Sequence, residues 1–349
     1  MALDLSVLNE LSSVAEVQQT TRALRATNRP VVLVPIFGRP HTAHAELIAA
    51  AKSLPRAVVF VVVLPGICKR DEELTAAAAQ TRVEFSAQEI DYLAQAGATL
   101  LWRPTAAEVA VADGRTMVDA GRLATALQSA VSPKAVNRFV TTMVRLLGLT
   151  RASDVVIGER SYVQLVVLQQ AVSDLAMGVQ VHTIGVLRTS SGLPCSRMLG
   201  QASPAVTQAA MTISAALVAG THAATQGIAA AIAATQQVVA LAPGLDSVTV
   251  TVTDDWLQEV TDTTVGAAED AYRLHVVATC DGVTLYDQGT VLVGDVRRRQ
   301  EKEIAQAALA AAGLDAELTE EEFSELQRLR ELVARQQTVR KAFGNDASE

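Results

Sequence analysis

The sequence is short of aromatic residues and of positive charge, and each shortage excludes a class of protein. Aromatic side chains make up 3% of the 349 residues, so the hydrophobic core must be aliphatic, and Ala and Val dominate the composition. The formal net charge of −8 argues against a nucleic-acid-binding surface, which needs a clustered basic face. It does not exclude phosphate binding, because backbone N–H groups and one or two cations suffice for that.

Cysteine and long apolar runs are also scarce. Cys68, Cys195 and Cys280 show no Cys-x-x-Cys spacing, which excludes paired thiolate ligands and indicates reduced thiols in a cytoplasmic protein. The longest apolar run, 57–64, has the length of a strand, so we expect no membrane span. The first ten residues carry acidic and no basic side chains, so we expect no signal peptide. The Walker A, G-x-G-x-x-G and G-x-S-x-G patterns are absent from the sequence.

Short apolar runs alternate with helical stretches in the first half, which predicts a parallel sheet with helices on both faces. Strands are predicted at 30–36, 57–64, 99–102, 154–157 and 179–186, and helices at 44–54, 86–96, 134–147 and 162–175. Ligands of such sheets bind at the carboxyl ends of the strands, where the main motifs also fall.

The second half has a different pattern. An Ala/Gln/Thr-rich helical stretch covers 203–241, and we expect interruptions at Gly220 and Gly227. Strands are predicted after it at 247–253, 273–279 and 283–293, the last two joined by the hairpin turn Cys280-Asp281-Gly282. The chain is thus predicted to be an α/β protein with a Rossmann-like domain over 1–189, a smaller α+β domain over 190–296 and a charged helical extension over 297–349.

The extension is interpreted as a solvated helix that packs on its own domain, with a partner-binding helix and disorder as alternatives. Thr319 and Glu322 have the spacing of a capping box. An apolar stripe accompanies it, formed by Phe323, Leu326, Leu329, Val333 and Phe343.

The segment 34–44, VPIFGRPHTAH, carries the clearest chemical pattern. A strand ends, Gly38 and Pro40 turn the chain, and His41 and His44 lie three residues apart at a helix start. This spacing puts both imidazoles on one face of the first turn, beside free N–H groups and the positive end of the helix dipole. Such a turn fits a triphosphate, whose developing charge a histidine can stabilise. Capping histidines and a zinc pair are the alternatives, and no third zinc ligand has a supporting spacing.

This segment resembles the P-T-M-G-x-L-H-x-G-H motif of the pantothenate synthetase family, within the class I nucleotidyltransferases. Gly38, His41 and His44 match the motif, whereas Phe37 replaces its methionine and Ala43 its second glycine. The resemblance continues in register to about residue 294, through VFVVVLPGIC at 59–68, EEL at 72–74, GERSYVQL at 158–165 and the segment 188–197.

The resemblance implies a Rossmann-like nucleotidyltransferase domain and a ligase activity. The implied reaction condenses pantoate with β-alanine to pantothenate through a pantoyl adenylate, uses ATP and Mg²⁺, and releases AMP and pyrophosphate. It also implies a cytoplasmic homodimer. With the charge and hydropathy above, we expect small-molecule substrates and neither nucleic acid nor a membrane as partners.

Site residues follow from the resemblance position by position. Catalytic roles are implied for His41, His44, Arg160, Ser196 and Arg197. Nucleotide contacts are implied for Phe37, Gly38, His41, His44, Gly158, Arg160, Leu187 and Ser196. Contacts to the acid substrate are implied for Gln164 and Ile67, and no protein ligand to a metal is predicted. Arg160 stands where the family has a phosphate-binding lysine, which keeps the charge but changes its geometry.

The residues at the family's acid-binding positions differ from the family pattern. Leu64 and Ile67 stand where the family has asparagine and glutamine, Val163 replaces a glutamine, and Ser161 replaces an aspartate. Each lost amide removes a hydrogen bond to a polar acid, at about 1–3 kcal/mol for a group left unpaired. Two alternatives therefore stay open: a paralogue that binds nucleotide or a partner without turnover, and an adenylate-forming ligase for a less polar acid.

Other candidate residues are interpreted structurally. His182 and His275 are expected to be packed, hydrogen-bonded strand histidines, and 254–256 a turn at a strand end. Cys195 is expected to be an inert small hydrophobe, with a reactive thiol as the alternative.

Overall fold

Six parallel strands form the sheet that the alternation in the first half predicts, in the order β1-β4-β3-β2-β5-β6. The computed structural model describes residues 4–69, 75–109, 116–242, 244–261, 271–293, 304–306, 319 and 322–323. The strands of this sheet are β1 (Asn9–Leu11), β2 (Val31–Phe37), β3 (Val58–Leu64), β4 (Leu100–Trp102), β5 (Asp154–Gly158) and β6 (Gln180–Ile184).

The helices that connect these strands lie between them along the chain. They are α1 (Val14–Ala26), α2 (Thr42–Ser53), α3 (Ala76–Ala79), α4 (Ala87–Ala96), α5 (Ala106–Val109), α6 (Pro133–Thr150) and α7 (Tyr162–Asp174). Short 3₁₀ turns lie at Gly66–Lys69, Gly121–Thr125 and Glu159–Ser161. The sequence did not predict β1, because three residues are too few for a recognisable alternation.

The central strands are buried on both faces, which explains their continuous apolar sequences. Val31 and Leu33 of β2 belong to one hydrophobic cluster, which includes residues of α6 and α7. Val32 and Val34 belong to the other, which includes residues of α2 and α4. Alternate residues of one strand therefore contribute to two separate hydrophobic cores.

The order of the strands reverses at β2. The chain passes from β2 to β3 and β4 on one side, then returns to place β5 and β6 on the other. The carboxyl ends of β2 and β5 thus flank the crevice in which doubly wound sheets bind their ligands.

A second, antiparallel sheet follows in the order β7-β8-β9. Its strands are β7 (Leu245–Thr253), β8 (Ala271–Cys280) and β9 (Val283–Leu292), preceded by α8 (Arg197–Gly200), α9 (Pro204–Ala223), a 3₁₀ turn (Ala224–Gln226) and α10 (Ile228–Val239). Asp281 and Gly282 have φ of 51° and 73°, as a two-residue type I′ hairpin turn requires, so the predicted hairpin is confirmed.

The expected helix interruption at Gly220 is wrong, whereas the one at Gly227 is correct. Gly220 lies inside α9, where α9 and α10 pack together. A Cβ at this position would clash with Thr235 Oγ1 and lie 2.6 Å from Leu274 Cδ2. The glycine therefore permits close helix packing, and it does not end the helix.

An ion pair and its hydrogen bonds join the two sheets. Arg273 of β8 donates to Glu159, which follows β5, at 3.0 and 3.3 Å. Its guanidinium lies 4.5 Å from the centre of the Tyr162 ring. Gln288 of β9 accepts from Arg273 at 3.2 Å and donates to the Glu159 carbonyl at 3.2 Å. Both charged side chains are more than four-fifths buried, with exposures of 17% and 19%.

His275 lies in the same region and is fully buried, as expected of a packed strand histidine. Its Nε2 lies 2.9 Å from Thr253 Oγ1 and its Nδ1 lies 3.1 Å from the Tyr286 hydroxyl. Burial, together with nearby Arg273, lowers the pKa of His275 to about 3. The ring is therefore neutral at physiological pH.

Two further local predictions agree with the structure. His182 Nε2 lies 2.8 Å from Asp154 Oδ1 on the neighbouring strand, although its side chain is only half-buried. Asp254 Oδ1 accepts hydrogen bonds from the Trp256 and Gln258 N–H groups, so 254–256 is the expected turn.

Residues Met1–Val291 form one compact unit and Leu292–Glu349 a second. In the second unit, Thr319 Oγ1 donates to Glu322 Oε2 at 2.7 Å and accepts from the Glu322 N–H at 3.3 Å, which confirms the capping box. Phe323 is buried with Ala305, whereas the rest of the apolar stripe lies outside the described residues. Within the part of the chain that is described, none of the helices has the length and apolarity of a membrane span.

We expect Gly220→Ala to lower the free energy of unfolding by about 1–3 kcal/mol, because α9 and α10 must separate to admit a methyl group. Gly148→Ala in α6 is the matched control, since a Cβ there meets nothing within 4 Å and should leave stability unchanged or raise it by up to about 1 kcal/mol. Urea denaturation measures both. Equal unfolding midpoints for the two variants would contradict the packing role of Gly220.

The low pKa of His275 also predicts how stability depends on pH. The unfolded chain binds a proton near pH 6.5 and the folded chain only near pH 3, so stability is complete above pH 6.5 and falls as the pH drops below it. The expected loss between pH 6.5 and pH 5 is about 2 kcal/mol. His275→Gln should flatten this slope, and His222→Gln, at an exposed position of α9, should retain it. Chemical denaturation at pH 6.5 and at pH 5 measures this difference in stability for each variant.

Candidate active site

A cavity of about 980 Å³ lies at the carboxyl ends of β2, β5 and β6. One wall comes from the parallel sheet and the first turns of α2 and α7. The other comes from 195–206 and from the hairpin turn between β8 and β9. The lining contains eight of the eleven residues to which the resemblance gives a site role: Phe37, His41, His44, Gly158, Arg160, Gln164, Leu187 and Ser196.

The two histidines lie together at the start of α2. His41 is the N-cap residue, and its backbone N–H donates to His44 Nδ1 at 3.1 Å. The ring centres are 3.9 Å apart and both rings are half-buried. Because Nδ1 accepts, a neutral His44 carries its proton on Nε2, which makes that atom a hydrogen-bond donor.

Phe37 and Gly38 play different parts at the end of β2. Phe37 lines the cavity, with its ring centre 5.7 Å from that of Phe139. Gly38 is not part of the lining in the described structure. It has a φ of 88° and donates its N–H to the Leu64 carbonyl at 2.9 Å, so it shapes the turn that brings α2 to the cavity.

Arg160 is attached to the antiparallel sheet. Its Nη1 donates to the Tyr286 carbonyl at 2.6 Å, and its buried Nε has no partner among the described residues. Burial lowers the pKa of Arg160, and Arg188 acts in the same direction, while Asp287 and Tyr286 oppose it. The guanidinium still carries its charge at neutral pH.

Gly158 lines the cavity at the end of β5. A Cβ there would make only ordinary contacts, at 3.8 Å to Leu47 Cδ2 and 3.9 Å to the Ile184 carbonyl. The packing of the described protein therefore does not itself require a glycine at this position.

The segment after β6 is held by a bidentate ion pair. Arg188 donates to the Asp287 carboxylate at 2.7 and 3.0 Å, and Asp287, at 3% exposure, also accepts from Ser214 Oγ at 3.1 Å. The Leu187 carbonyl accepts from the Cys195 N–H at 2.7 Å, so one backbone group of Leu187 is already bonded within the protein.

Ser196 follows as the N-cap of α8, and its Oγ accepts from the Leu199 N–H at 3.3 Å. Arg197 begins α8, but its side chain and that of Ile67 lie outside the described residues. Cys195 lines the cavity half-exposed, and all three cysteines are free.

Gln164 is a buried amide side chain in the lining. It lies on α7 at 7% exposure, and among the described residues its amide has no hydrogen-bond partner. A buried amide that faces a cavity without a partner is a site for a polar ligand group. Leu64 is fully buried in the core below this region and does not reach the lining.

Several lining residues were not predicted from the sequence. Arg39 lines the cavity mouth and binds Glu89 of α4, whose pKa it lowers to about 2. Asp281, Thr284 and Tyr286 come from the β8–β9 hairpin. The Asp-Gly turn signals a hairpin, but nothing in it signals that the hairpin faces a motif more than 200 residues earlier. No group of three or more His, Cys, Asp or Glu side chains in the described ranges could hold a metal ion.

Comparison with known proteins places this geometry in one family. The model of the pantoate-beta-alanine ligase family matches residues 9–290. The pantothenate synthetase of Mycobacterium avium is 34% identical over 284 residues, which cover 80% of this chain and 88% of that protein. That of Mycolicibacterium smegmatis is 33% identical over 291 residues, covering 82% and 88%.

Solved structures share the fold. Pantothenate synthetase from Thermus thermophilus matches with a TM-score of 0.68 at 24% identity, over 80% of this chain and 98% of that one. The pantoate-beta-alanine ligase of Francisella tularensis, complexed with beta-gamma ATP and beta-alanine, matches with a TM-score of 0.60 at 19% identity, over 81% and 97%.

We expect Asp287→Asn to loosen the segment that carries Leu187 and Cys195, because Arg188 loses a buried anionic partner. The free energy of unfolding should fall by about 2 kcal/mol. Ser214→Ala, which removes one neutral donor from the same carboxylate, should cost about 1 kcal/mol. Hydrogen exchange of the Thr189, Gly192 and Cys195 amides measures the local effect. Unchanged protection of these amides in Asp287→Asn would show that the ion pair does not hold the segment.

Proposed function

The chain belongs to the pantoate-beta-alanine ligase family, and from this premise we propose that it condenses pantoate with β-alanine in an ATP-dependent reaction. The observation that supports the proposal most directly is the convergence of His41, His44, Arg160 and Gln164 on one cavity. These residues come from two helix starts more than 100 positions apart, at the edge where parallel sheets bind nucleotides.

The proposed reaction has two steps. A carboxylate oxygen of pantoate attacks the α-phosphorus of ATP, and pyrophosphate leaves, which gives pantoyl adenylate. The β-alanine amine then attacks the acyl carbon, AMP leaves and the amine nitrogen loses a proton, which gives pantothenate. Neither step needs a covalent bond to the protein, so the rate comes from alignment and from stabilisation of charge.

The charge-stabilising groups come from both walls of the cavity. In the proposal, His44 donates from Nε2 to a phosphate oxygen, because its Nδ1 is held by the His41 backbone. Arg160 supplies a fixed positive charge, since the Tyr286 carbonyl fixes one end of its guanidinium. Ser196 adds a hydroxyl donor, and Gly158 leaves room for the nucleotide beside the sheet.

Magnesium is proposed to arrive with the nucleotide. The described residues offer no cluster of carboxylates, so phosphate oxygens and water would be its ligands, as Mg²⁺ commonly prefers. When bound, it screens the phosphate charge and helps pyrophosphate to leave.

The acid is proposed to bind beside Gln164, the buried amide without a partner among the described residues. Residues 1–189 would then carry the phosphate and acid sites, and 190–296 would close the cavity from the opposite side. The contributions of Ile67 and Arg197, the homodimer and the cytoplasmic location stay predictions.

The test is the formation of AMP and pyrophosphate by the purified full chain. We expect pantoate and Mg·ATP to support pyrophosphate exchange, and AMP to accumulate once β-alanine is added. Nucleotide binding in a calorimeter without turnover would instead support the non-catalytic alternative. No affinity for Mg·ATP would refute the proposed site altogether.

The same assay tests the histidine. We expect His44→Ala to reduce turnover at least about 100-fold, as loss of a charge-stabilising donor does elsewhere, with only a small fall in the unfolding midpoint from the lost hydrogen bond to the His41 N–H. His222→Ala replaces an exposed histidine outside the cavity lining and should keep full activity. Normal turnover in His44→Ala would remove this residue from the mechanism.

A further inference from the structure

The cavity has two chemically different parts. His41 and His44 of α2 belong to the polar part, together with Arg160. The apolar part is formed by residues that continue into the hydrophobic core beneath α6 and α7, namely Phe37, Phe139, Val131 and Val163. A ligand that spans both parts therefore contacts charged and imidazole side chains at one end and apolar side chains at the other.

Gln164 is the exception within the apolar part. It follows Val163 on α7, and its amide has no partner among the described residues. One amide offers a single carbonyl acceptor and one NH₂ donor group. The remaining side chains named for this part present only carbon to a bound acid.

The proposed reaction determines the orientation of the bound acid. Its carboxylate has to reach the α-phosphate among the cationic and histidine side chains, so the rest of the acid extends toward the apolar part. Pantoate, 2,4-dihydroxy-3,3-dimethylbutanoate, would place two methyl groups and its terminal hydroxyl there. The methyl groups fit aliphatic and aromatic walls, but an uncompensated hydroxyl is costly to desolvate.

We propose that this site recognises the branched carbon skeleton of the acid and reads at most one of its hydroxyl groups, so that its substrates are branched aliphatic 2-hydroxy acids as well as pantoate. The inference rests on the proposed ligation and narrows its substrate class. Val163 and Gln164 set the specificity: the valine removes a polar contact and the glutamine retains one.

Known specificity ratios make this quantitative. A pocket built to hydrogen-bond a hydroxyl rejects the analogue without it by about 10⁴-fold or more, whereas an apolar pocket discriminates weakly. In this proposal the Gln164 amide binds the 2-hydroxyl group, which both acids carry, and the terminal hydroxyl meets only apolar side chains. We therefore expect kcat/KM for pantoate to exceed that for 2-hydroxy-3,3-dimethylbutanoate, which lacks the terminal hydroxyl, by less than about tenfold.

The experiment measures AMP release from Mg·ATP and β-alanine with each of the two acids. A ratio below about tenfold supports the inference, and a larger preference for pantoate overturns it while the proposed function stands. Turnover of the deoxy acid without turnover of pantoate overturns the inference that the site accepts both acids and refutes pantoate as a substrate. Turnover of neither acid refutes the proposed function, and the inference falls with it.

Two variants on one helix test the assignment to Val163. Val163→Thr adds a hydroxyl to the apolar part at nearly unchanged volume, and it should raise the preference for pantoate roughly three- to tenfold. Val166→Thr is the control: Val166 is equally buried, at 4% against 3% exposure, but lines a separate 440 Å³ cavity. The ratio of kcat/KM for the two acids, measured within one variant, is insensitive to a general loss of activity. Equal ratios in both variants and the wild type would exclude Val163 as a specificity determinant.

Discussion

Two ion pairs join the parallel sheet to the antiparallel one, and they hold together the two walls of the cavity. Arg188, after β6, binds Asp287 of β9, and Arg273 of β8 binds Glu159, after β5. A desolvated pair of this kind stabilises a fold only if its remaining donors and acceptors are satisfied. Here Gln288 bonds to both pairs, through its side chain and its backbone, so the pairs specify how the two walls meet.

The sequence predicted the elements of the fold better than their assembly. β2 and β3 were recognisable because strands buried on both faces need unbroken apolar sequence. Gly220 was misjudged because a helix-breaking residue and a residue that allows close helix packing look identical without the neighbouring Thr235. β1 was missed because it is stabilised by pairing with β4 and not by a pattern of its own.

The site residues show the same difference between what the local sequence predicts and what only tertiary contacts determine. The histidine pair was predictable because its geometry is local: three residues of separation at a helix start bring two rings together. The attachment of Arg160 to the Tyr286 carbonyl joins residues 126 positions apart, and no local pattern carries that information. Leu64 and Val163 both stand where the family resemblance expects an amide side chain, but Leu64 is buried in the core, and of these two only Val163 lies in the lining.

The contacts between the two sheets and the apolar lining of the cavity are made by different side chains. None of the four ion-paired residues belongs to the apolar lining, and Phe37, Phe139 and Val163 take no part in the pairs. Substitutions in the apolar lining can therefore accumulate without disturbing the contacts that hold the two walls together. Such modularity leaves the shape of the pocket free to change in evolution while the assembly of the fold is inherited intact.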